Sequence, residues 1–248
     1  MYTGTVKRSS IGWTDYTGGP ANFVYGCTRI SEGCANCYAF ALADRYGARL
    51  SMERVKYDED KLRKLVRCKM PPIKRDRAMC FVVDMGDLFH EDVPDYFIFK
   101  ALSVLAARPD VDFQILTKRV YRAWKLLQNY GLSPNIWLGA SVENQHRADQ
   151  RVSLLLDIPA HVRWVSVEPM LESVHMPELF LLDWVVCGAE SGAHRRPFDP
   201  VWAQVLYEQC KKANIPFYGK QASAFYPELP LRLNVGPGQE AEVKEWPC

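Results

Sequence analysis

Cys27, Cys34 and Cys37 stand within eleven residues of one another, in the run Gly26-Cys-Thr-Arg-Ile-Ser-Glu-Gly-Cys-Ala-Asn-Cys-Tyr38. Thiolates are ligands for soft metal centres, and their number decides which centre they suit. A structural zinc ion closes its tetrahedron with four protein ligands, whereas a 4Fe-4S cluster held by three thiolates keeps one iron open to another molecule. No fourth cysteine or histidine follows closely, so the C-x6-C-x2-C spacing points to a cluster with an open iron. A zinc site would need a distant fourth ligand, and Cys68, Cys80 and His90 are the nearest candidates. The remaining cysteines, Cys68, Cys80, Cys187, Cys210 and Cys248, are scattered and read as small buried hydrophobes or idle thiols in a reducing compartment.

Ligands in one loop need a scaffold, and behind the cysteines the chain alternates short apolar runs with helical stretches. The runs at 80–84, 113–117, 136–140, 163–167, 184–188 and 216–220 are rich in β-branched and aromatic residues, with little period-two alternation. That pattern suits strands of a parallel sheet buried on both faces. Apolar residues at three- and four-residue spacing predict helices over 97–107, 120–130 and 201–213, the last with Asp199-Pro200 as cap and first-turn proline, and a further helix is expected over 38–50. The alternation implies βαβ crossovers and an α/β fold, either a barrel or a doubly wound sheet. One domain over 1–248 is the economical organisation, with the cysteine loop and first helix in 15–50 and a C-terminal wrap in 222–248 that includes the Pro- and Gly-rich stretch 227–238.

Barrel enzymes place their chemistry on the loops that follow the strands. Just past the apolar runs stand Asp84-Met-Gly-Asp87, Thr117-Lys-Arg119, Ser141-Val-Glu-Asn144, Glu168-Pro169, Ala189-Glu-Ser-Gly192 and Lys220-Gln221. Six polar strand ends in succession are the expected signature of an active-site mouth. Lys118, Arg119 and Lys220 share it with Asp84, Asp87, Glu143, Glu168 and Glu190, a mixture that suits a zwitterionic ligand such as the methionine moiety of S-adenosylmethionine. Salt bridges that merely hold the loops are the alternative.

Composition narrows the rest. The 31 basic and 29 acidic residues leave a formal charge of +2, which predicts no polybasic nucleic-acid surface. With 48% hydrophobic residues and 7 Trp the core is ample. No apolar stretch approaches the ~20 residues that span a bilayer, and the first ten residues lack a secretory apolar region. The expected location is cytoplasmic, in the host cytoplasm if the chain is phage-encoded, with no membrane partner.

The motifs in combination resemble the phage Gp37/Gp68-type proteins, a radical S-adenosylmethionine-like group sometimes described as a domain of unknown function. The resemblance runs through Ile11-Gly-Trp-Thr-Asp15, the cysteine run, Met85-Gly-Asp-Leu-Phe-His-Glu-Asp-Val-Pro94 and Leu116-Thr-Lys-Arg119. It continues in Trp137-Leu-Gly-Ala-Ser-Val-Glu-Asn144, Val165-Ser-Val-Glu-Pro169, Gly188-Ala-Glu-Ser-Gly192 and Pro216-Phe-Tyr-Gly-Lys-Gln221. One departure is the first cysteine gap, six residues where the commonest radical pattern has three; Gly26 and Gly33 supply backbone freedom for the longer loop.

The resemblance implies a partial (β/α) barrel of the radical S-adenosylmethionine type. Cys27, Cys34 and Cys37 would hold a 4Fe-4S cluster, and the open iron would take S-adenosylmethionine. An external one-electron reductant of flavodoxin or ferredoxin type would drive cleavage to a 5′-deoxyadenosyl radical that takes hydrogen from a substrate. On the cofactor side, Asp84, Gly86 and Asp87 would meet the methionine ammonium, Ser141, Glu143 or Asn144 the ribose, and Gly188 to Gly192 the adenine; Tyr38, Lys118, Glu168 and Glu190 complete that set. The substrate implied is a nucleoside or DNA, in particular a hypermodified thymidine of phage DNA undergoing isomerisation or rearrangement. Trp13 and Tyr16, with Phe23 and Tyr25, would stack a base or pack a lid; Arg119 and Arg195, beside His194 and Arg196, would meet phosphates or lie on a solvated loop; Lys220 and Gln221 would join them. A non-catalytic zinc or iron-sulfur module bound to nucleic acid or a host protein is the competing function.

Overall fold

The computed structural model describes residues 5–45, 52–191, 194–223 and 229–247. In chain order they form β1 (Lys7–Arg8), β2 (Tyr16–Thr17), β3 (Val24–Tyr25), α1 (Tyr38–Arg45), β4 (Lys56–Tyr57), α2 (Glu59–Arg67), β5 (Ala78–Phe81) and α3 (Asp95–Ala106). Then follow β6 (Val111–Thr117), α4 (Val120–Leu127), β7 (Ile136–Ser141), α5 (Gln145–Leu156), β8 (Val162–Val167), β9 (Trp184–Cys187), α6 (Pro200–Ala213) and β10 (Phe217–Gly219). Two hairpin-like pairs close the chain, β11 (Gln221–Ser223) with β12 (Leu229–Pro230) and β13 (Leu233–Gly236) with β14 (Gln239–Ala241).

Eight strands make one sheet in the order β1-β2-β5-β6-β7-β8-β9-β10, and β3 pairs separately with β4. The pairs β2–β5, β5–β6, β8–β9 and β9–β10 are parallel, and β1 joins antiparallel to β2. Each apolar run of the sequence is a strand of this sheet. Run 80–84 stops early, at Phe81, because Val83 takes a left-handed φ of 60° that breaks the extended chain before Asp84. The chain divides into two compact units, one of Met1–Thr28, Ala39–Gly139 and Ile158–His161, the other of Arg29–Tyr38, Ala140–Asp157 and Val162–Cys248.

In the first unit, β5 is buried along its whole length, and β6 almost so, because helices cover the parallel strands. Trp13 packs edge-on against Phe81 with ring centres 4.9 Å apart, and Phe97 of α3 meets Phe23 and Tyr57. The second unit centres on Trp164 and Trp184, both fully buried with ring centres 5.3 Å apart, and Trp184 donates its indole N–H to the Glu245 carbonyl at 2.8 Å. The C-terminal segment runs beside β10, where Gly219 N donates to Val243 O at 2.8 Å and Glu245 N to Phe217 O at 3.0 Å.

Helix ends follow side-chain chemistry. Asp199 caps α6 by accepting from Val201 N at 2.9 Å, with Pro200 in the first turn as expected, and Asn214 ends the helix in the left-handed conformation at φ 56°. Asp58 and Asn144 cap α2 and α5 in the same way, two helices that apolar spacing alone did not single out. The helix expected over 38–50 is seen to Arg45, and 46–50 lie outside the described residues. Strands β12 and β13 fall within the linker expected at 227–238, of which 227 and 228 are likewise outside. Among the described residues no helix is long and apolar enough to cross a membrane.

Between α3 and β7, the Asn135 amide donates to the carbonyls of Leu105 (2.9 Å), Arg108 (2.9 Å) and Val111 (3.2 Å). These carbonyls belong to the α3–β6 turn, so one side chain ties that turn to β7. Asn135→Ala removes these three bonds and should cost about 1–3 kcal/mol in denaturant unfolding. An unchanged transition midpoint would show that water serves those carbonyls instead.

Candidate functional site

In the first unit the backbone around Cys27 is laced to the turn after β5. Gly26 has φ 94°, and a Cβ there would lie 2.6 Å from Arg54 O, so only glycine fits. Gly26 N donates to Met85 O at 3.0 Å, Cys27 N to Met52 O at 2.8 Å, and Gly26 bridges Gly86. Gly86 sits so close that a Cβ would be 3.1 Å from Val24 O.

Asp87 anchors this region. Its Oδ1 accepts from the Thr117 hydroxyl at 2.7 Å and from Phe89 N at 3.0 Å, and its Oδ2 from Lys118 N and Arg119 Nη1, both at 3.3 Å. Arg119, 5% exposed, also reaches Glu91, Thr28 and the Cys27 sulfur, the last at 3.4 Å. Burial works against its charge, and Asp87 and Glu91 more than offset that, holding the guanidinium above its ordinary pKa. His90 is buried beside it and interacts through Nε2 with the Thr28 hydroxyl at 3.0 Å, while its Nδ1 accepts from Asp92 N. Burial, followed by the Arg119 charge, pulls His90 below the usual histidine value, which favours a neutral ring. Asp84 accepts from the Thr17 hydroxyl at 2.8 Å, and burial raises its pKa.

In the second unit, Cys34 ends a short 3-10 turn, Glu32–Cys34, and its neighbour Gly33 approaches the side chain of Glu143. A Cβ on Gly33 would be 3.0 Å from the Glu143 carboxyl carbon, so this glycine serves close packing rather than a left-handed turn. Glu143 is fully buried; it accepts from Arg151 at 2.8 Å and from Gly33 N at 3.4 Å. Arg151 also donates to the Ser141 carbonyl at 2.7 Å. Asn36, between the second and third cysteines, donates to Glu190 at 3.0 Å, and Arg196 holds the same carboxylate through its backbone and guanidinium. Burial raises the Glu190 carboxyl, but the bonds from Arg196 and Asn36 outweigh it and leave the pKa below that of an ordinary glutamate. Glu168 pairs with Lys220 and accepts from Gln221 at 3.1 Å.

The strand-end residues are therefore drawn into ion pairs, the alternative that the sequence left open. Asp87 with Arg119, Glu143 with Arg151, Glu190 with Arg196 and Glu168 with Lys220 each form one. Other expected site residues have plainer surroundings. Asn144 caps α5, Ser141 is buried at the end of β7, and Gly188 lies against Lys220 and Gln221. Tyr38 is exposed at the start of α1; Lys118 and Arg195 are half-buried; Gly192 lies outside the described residues. Trp13 and Tyr16, expected to stack a base or pack a lid, are only 3% and 5% exposed. Tyr16 donates its hydroxyl to Pro71 O at 2.9 Å, so both rings are packed rather than presented to a ligand. The sequence reading missed Thr28, Asn36, Glu91, Arg151 and Arg147, the last paired with Glu32 at 3.1 Å; Thr28, Asn36 and Glu91 lay inside quoted motifs, but their partners are distant in sequence.

The donor chemistry fits an iron-sulfur group. No disulfide forms among the described cysteines, and Cys27 and Cys37 are half-exposed, while Cys80, Cys187 and Cys210 are sunk in the core with thiols pushed up by burial. A fourth zinc ligand is harder to find. Cys80 is fully buried in β5, Cys68 contacts the Lys64 carbonyl at 3.3 Å, and both ring nitrogens of His90 are engaged. Among the described residues no group of three or more His, Cys, Asp and Glu side chains is gathered for a single metal ion.

Glu143→Ala should destabilise the protein by about 3–5 kcal/mol, because it strands the buried Arg151 charge. Replacing both by leucine should recover most of that loss in denaturant titration; equal losses would mean that the pair's charges do not balance each other. The depressed Glu190 pKa implies stability that is present above the unfolded value of ~4.3 and lost as pH falls through the folded value. Glu190→Gln should flatten that acid limb of the stability curve, and an unaltered limb would assign it to other carboxylates.

Solved structures similar to this chain include a spore photoproduct lyase complexed with dinucleoside spore photoproduct, with a TM-score of 0.53 and 13% identity over 85% of this chain and 64% of that one. A variant of spore photoproduct lyase with bound AdoMet and dinucleoside spore photoproduct matches with a TM-score of 0.51 and 12% identity, over 85% of this chain and 64% of that one. The chain thus spans less than two thirds of the length of these structures. At such identity the likeness shows the fold, and it agrees with the partial (β/α) barrel expected from the sequence. No curated protein matches the sequence. Residues 8–245 match the sequence pattern of the proteins of unknown function DUF5131, and the chain belongs to that family.

Proposed function

We propose that the protein is a radical S-adenosylmethionine enzyme acting on a nucleobase. The observation that carries the proposal is the C-x6-C-x2-C loop, set in a fold shared with a lyase solved with AdoMet and a dinucleoside photoproduct. Cys27, Cys34 and Cys37 would hold the 4Fe-4S cluster. When bound, that cluster supplies the electron that cleaves S-adenosylmethionine to the radical which takes hydrogen from the substrate.

The chain's own residues would position and shield. Gly26 and Gly86 allow close backbone approach beside Cys27, and the Glu143–Arg151 and Glu190–Arg196 pairs fix the segments around Cys34 and Asn36. Because these carboxylates are already paired, Glu143 and Glu190 serve the cofactor side by holding loops, while Asp84, Asn144 and Lys118 remain the proposed cofactor contacts. Arg195, Lys220 and Gln221 stay on the substrate side. The phage Gp37/Gp68-type kinship, a hypermodified thymidine as substrate, an isomerisation as reaction, a flavodoxin- or ferredoxin-type reductant and a cytoplasmic location belong to the same proposal. A zinc module is the second reading, weakened by the burial of Cys80 and the engagement of Cys68 and His90.

Anaerobic reconstitution with iron and sulfide should load about four irons per chain, with broad visible absorption, and each of Cys27→Ala, Cys34→Ala and Cys37→Ala should abolish it while Cys68→Ala retains it. The reduced protein should convert S-adenosylmethionine to 5′-deoxyadenosine and methionine. One colourless zinc per chain, or loss of metal in Cys68→Ala, would overturn the proposal.

A further inference from the structure

Arg119 was expected to meet substrate, but its surroundings assign it another task. Its guanidinium has five N–H groups, and five acceptors surround it. Nε donates to Glu91 at 2.8 Å; Nη1 to Asp87 at 3.3 Å and to the Cys27 sulfur at 3.4 Å; Nη2 to the Thr28 hydroxyl at 2.7 Å and the Thr28 carbonyl at 3.2 Å. A buried guanidinium so occupied has no N–H left for a phosphate or a carboxylate of substrate.

The acceptors are themselves held. Asp87 is fixed by Thr117 and by two backbone N–H groups. Arg119 is tied back by its own N–H to the Thr117 hydroxyl at 2.9 Å. Since His90 Nδ1 accepts from Asp92 N, its Nε2–H donates to the Thr28 hydroxyl and pins that side chain too. One charged donor is thereby aimed at one cysteine sulfur from the end of β6. A hydrogen bond from a cation stabilises negative charge on a thiolate, and such bonds to ligating sulfur raise the reduction potential of an iron-sulfur centre, whose reduced form carries one more electron.

We propose that Arg119 is a positioning and potential-setting residue for Cys27, raising the reduction potential of the cluster ligated there rather than binding substrate. This inference rests on the cluster reading above and deepens it. Redox titration of the reconstituted protein, followed by the electron paramagnetic resonance of the reduced cluster, tests it. Arg119→Gln should bind the same iron but be reduced roughly tenfold less favourably, a fall of about 59 mV for one electron. Glu91→Gln, which removes an exposed counter-charge and spares the buried residues, should shift the potential the other way. It decides the matter if Arg119→Gln fails to fold. Potentials equal to wild type in the folded variants would overturn the role of Arg119 while leaving the cluster intact. A wild-type protein that loads no cluster would overturn both readings.

Discussion

A guanidinium removed from water must find an acceptor for each of its N–H groups and a counter-charge for itself, and this requirement organises the protein around its strand ends. Arg119 meets it with two carboxylates, a threonine and a thiol; Arg151 with Glu143 and a backbone carbonyl. Each of these cations fixes a loop that follows a strand, so the polar residues that look like a binding mouth in the sequence also hold one another in place. Charge is neutralised locally, consistent with a formal total of only +2.

The same pairing changes what individual residues can do. A carboxylate with saturated acceptors, such as Asp87, can orient a neighbouring cation but has little capacity for an incoming ammonium. A half-exposed thiol such as Cys27 keeps a face for metal, and the fully buried Cys80 and Cys187 do not. The thiols and the less burdened polar groups are thus the ones left to meet a ligand, while the buried pairs supply rigidity. The glycines obey a similar division: Gly26 is required by a left-handed turn, and Gly33 by the nearness of Glu143.

Some features the sequence analysis handled well share a local physical cause. Short β-branched runs without period-two alternation suit parallel strands covered on both faces, and every one of them is a strand here, the last of them at the sheet edge. Asp199-Pro200 caps a helix because an aspartate oxygen and a fixed proline φ satisfy the first turn without help from elsewhere. Asp58 and Asn144 mark the starts of α2 and α5, but the strongly polar faces of these helices dilute their apolar spacing.

From the amino-acid order alone came the alternation that gives an α/β fold, barrel or doubly wound sheet, the clustering of three cysteines in one loop, and the run of charged residues after the strands. Those depend on neighbours within a few residues, where backbone geometry leaves little choice. Which carboxylate pairs with which cation was decided only in three dimensions: Arg119 and Cys27 are 92 positions apart, and Asn36 and Glu190 are 154 apart. Trp13 and Tyr16 illustrate the same limit, because an aromatic side chain early in a chain is as fit to stack a ligand as to fill a core. Only the packing of Phe81 against Trp13, and the reach of the Tyr16 hydroxyl to Pro71, made them core. Long-range contacts are set by the total burial of apolar surface and by the need to match every buried charge, and neither can be read from a local stretch of residues.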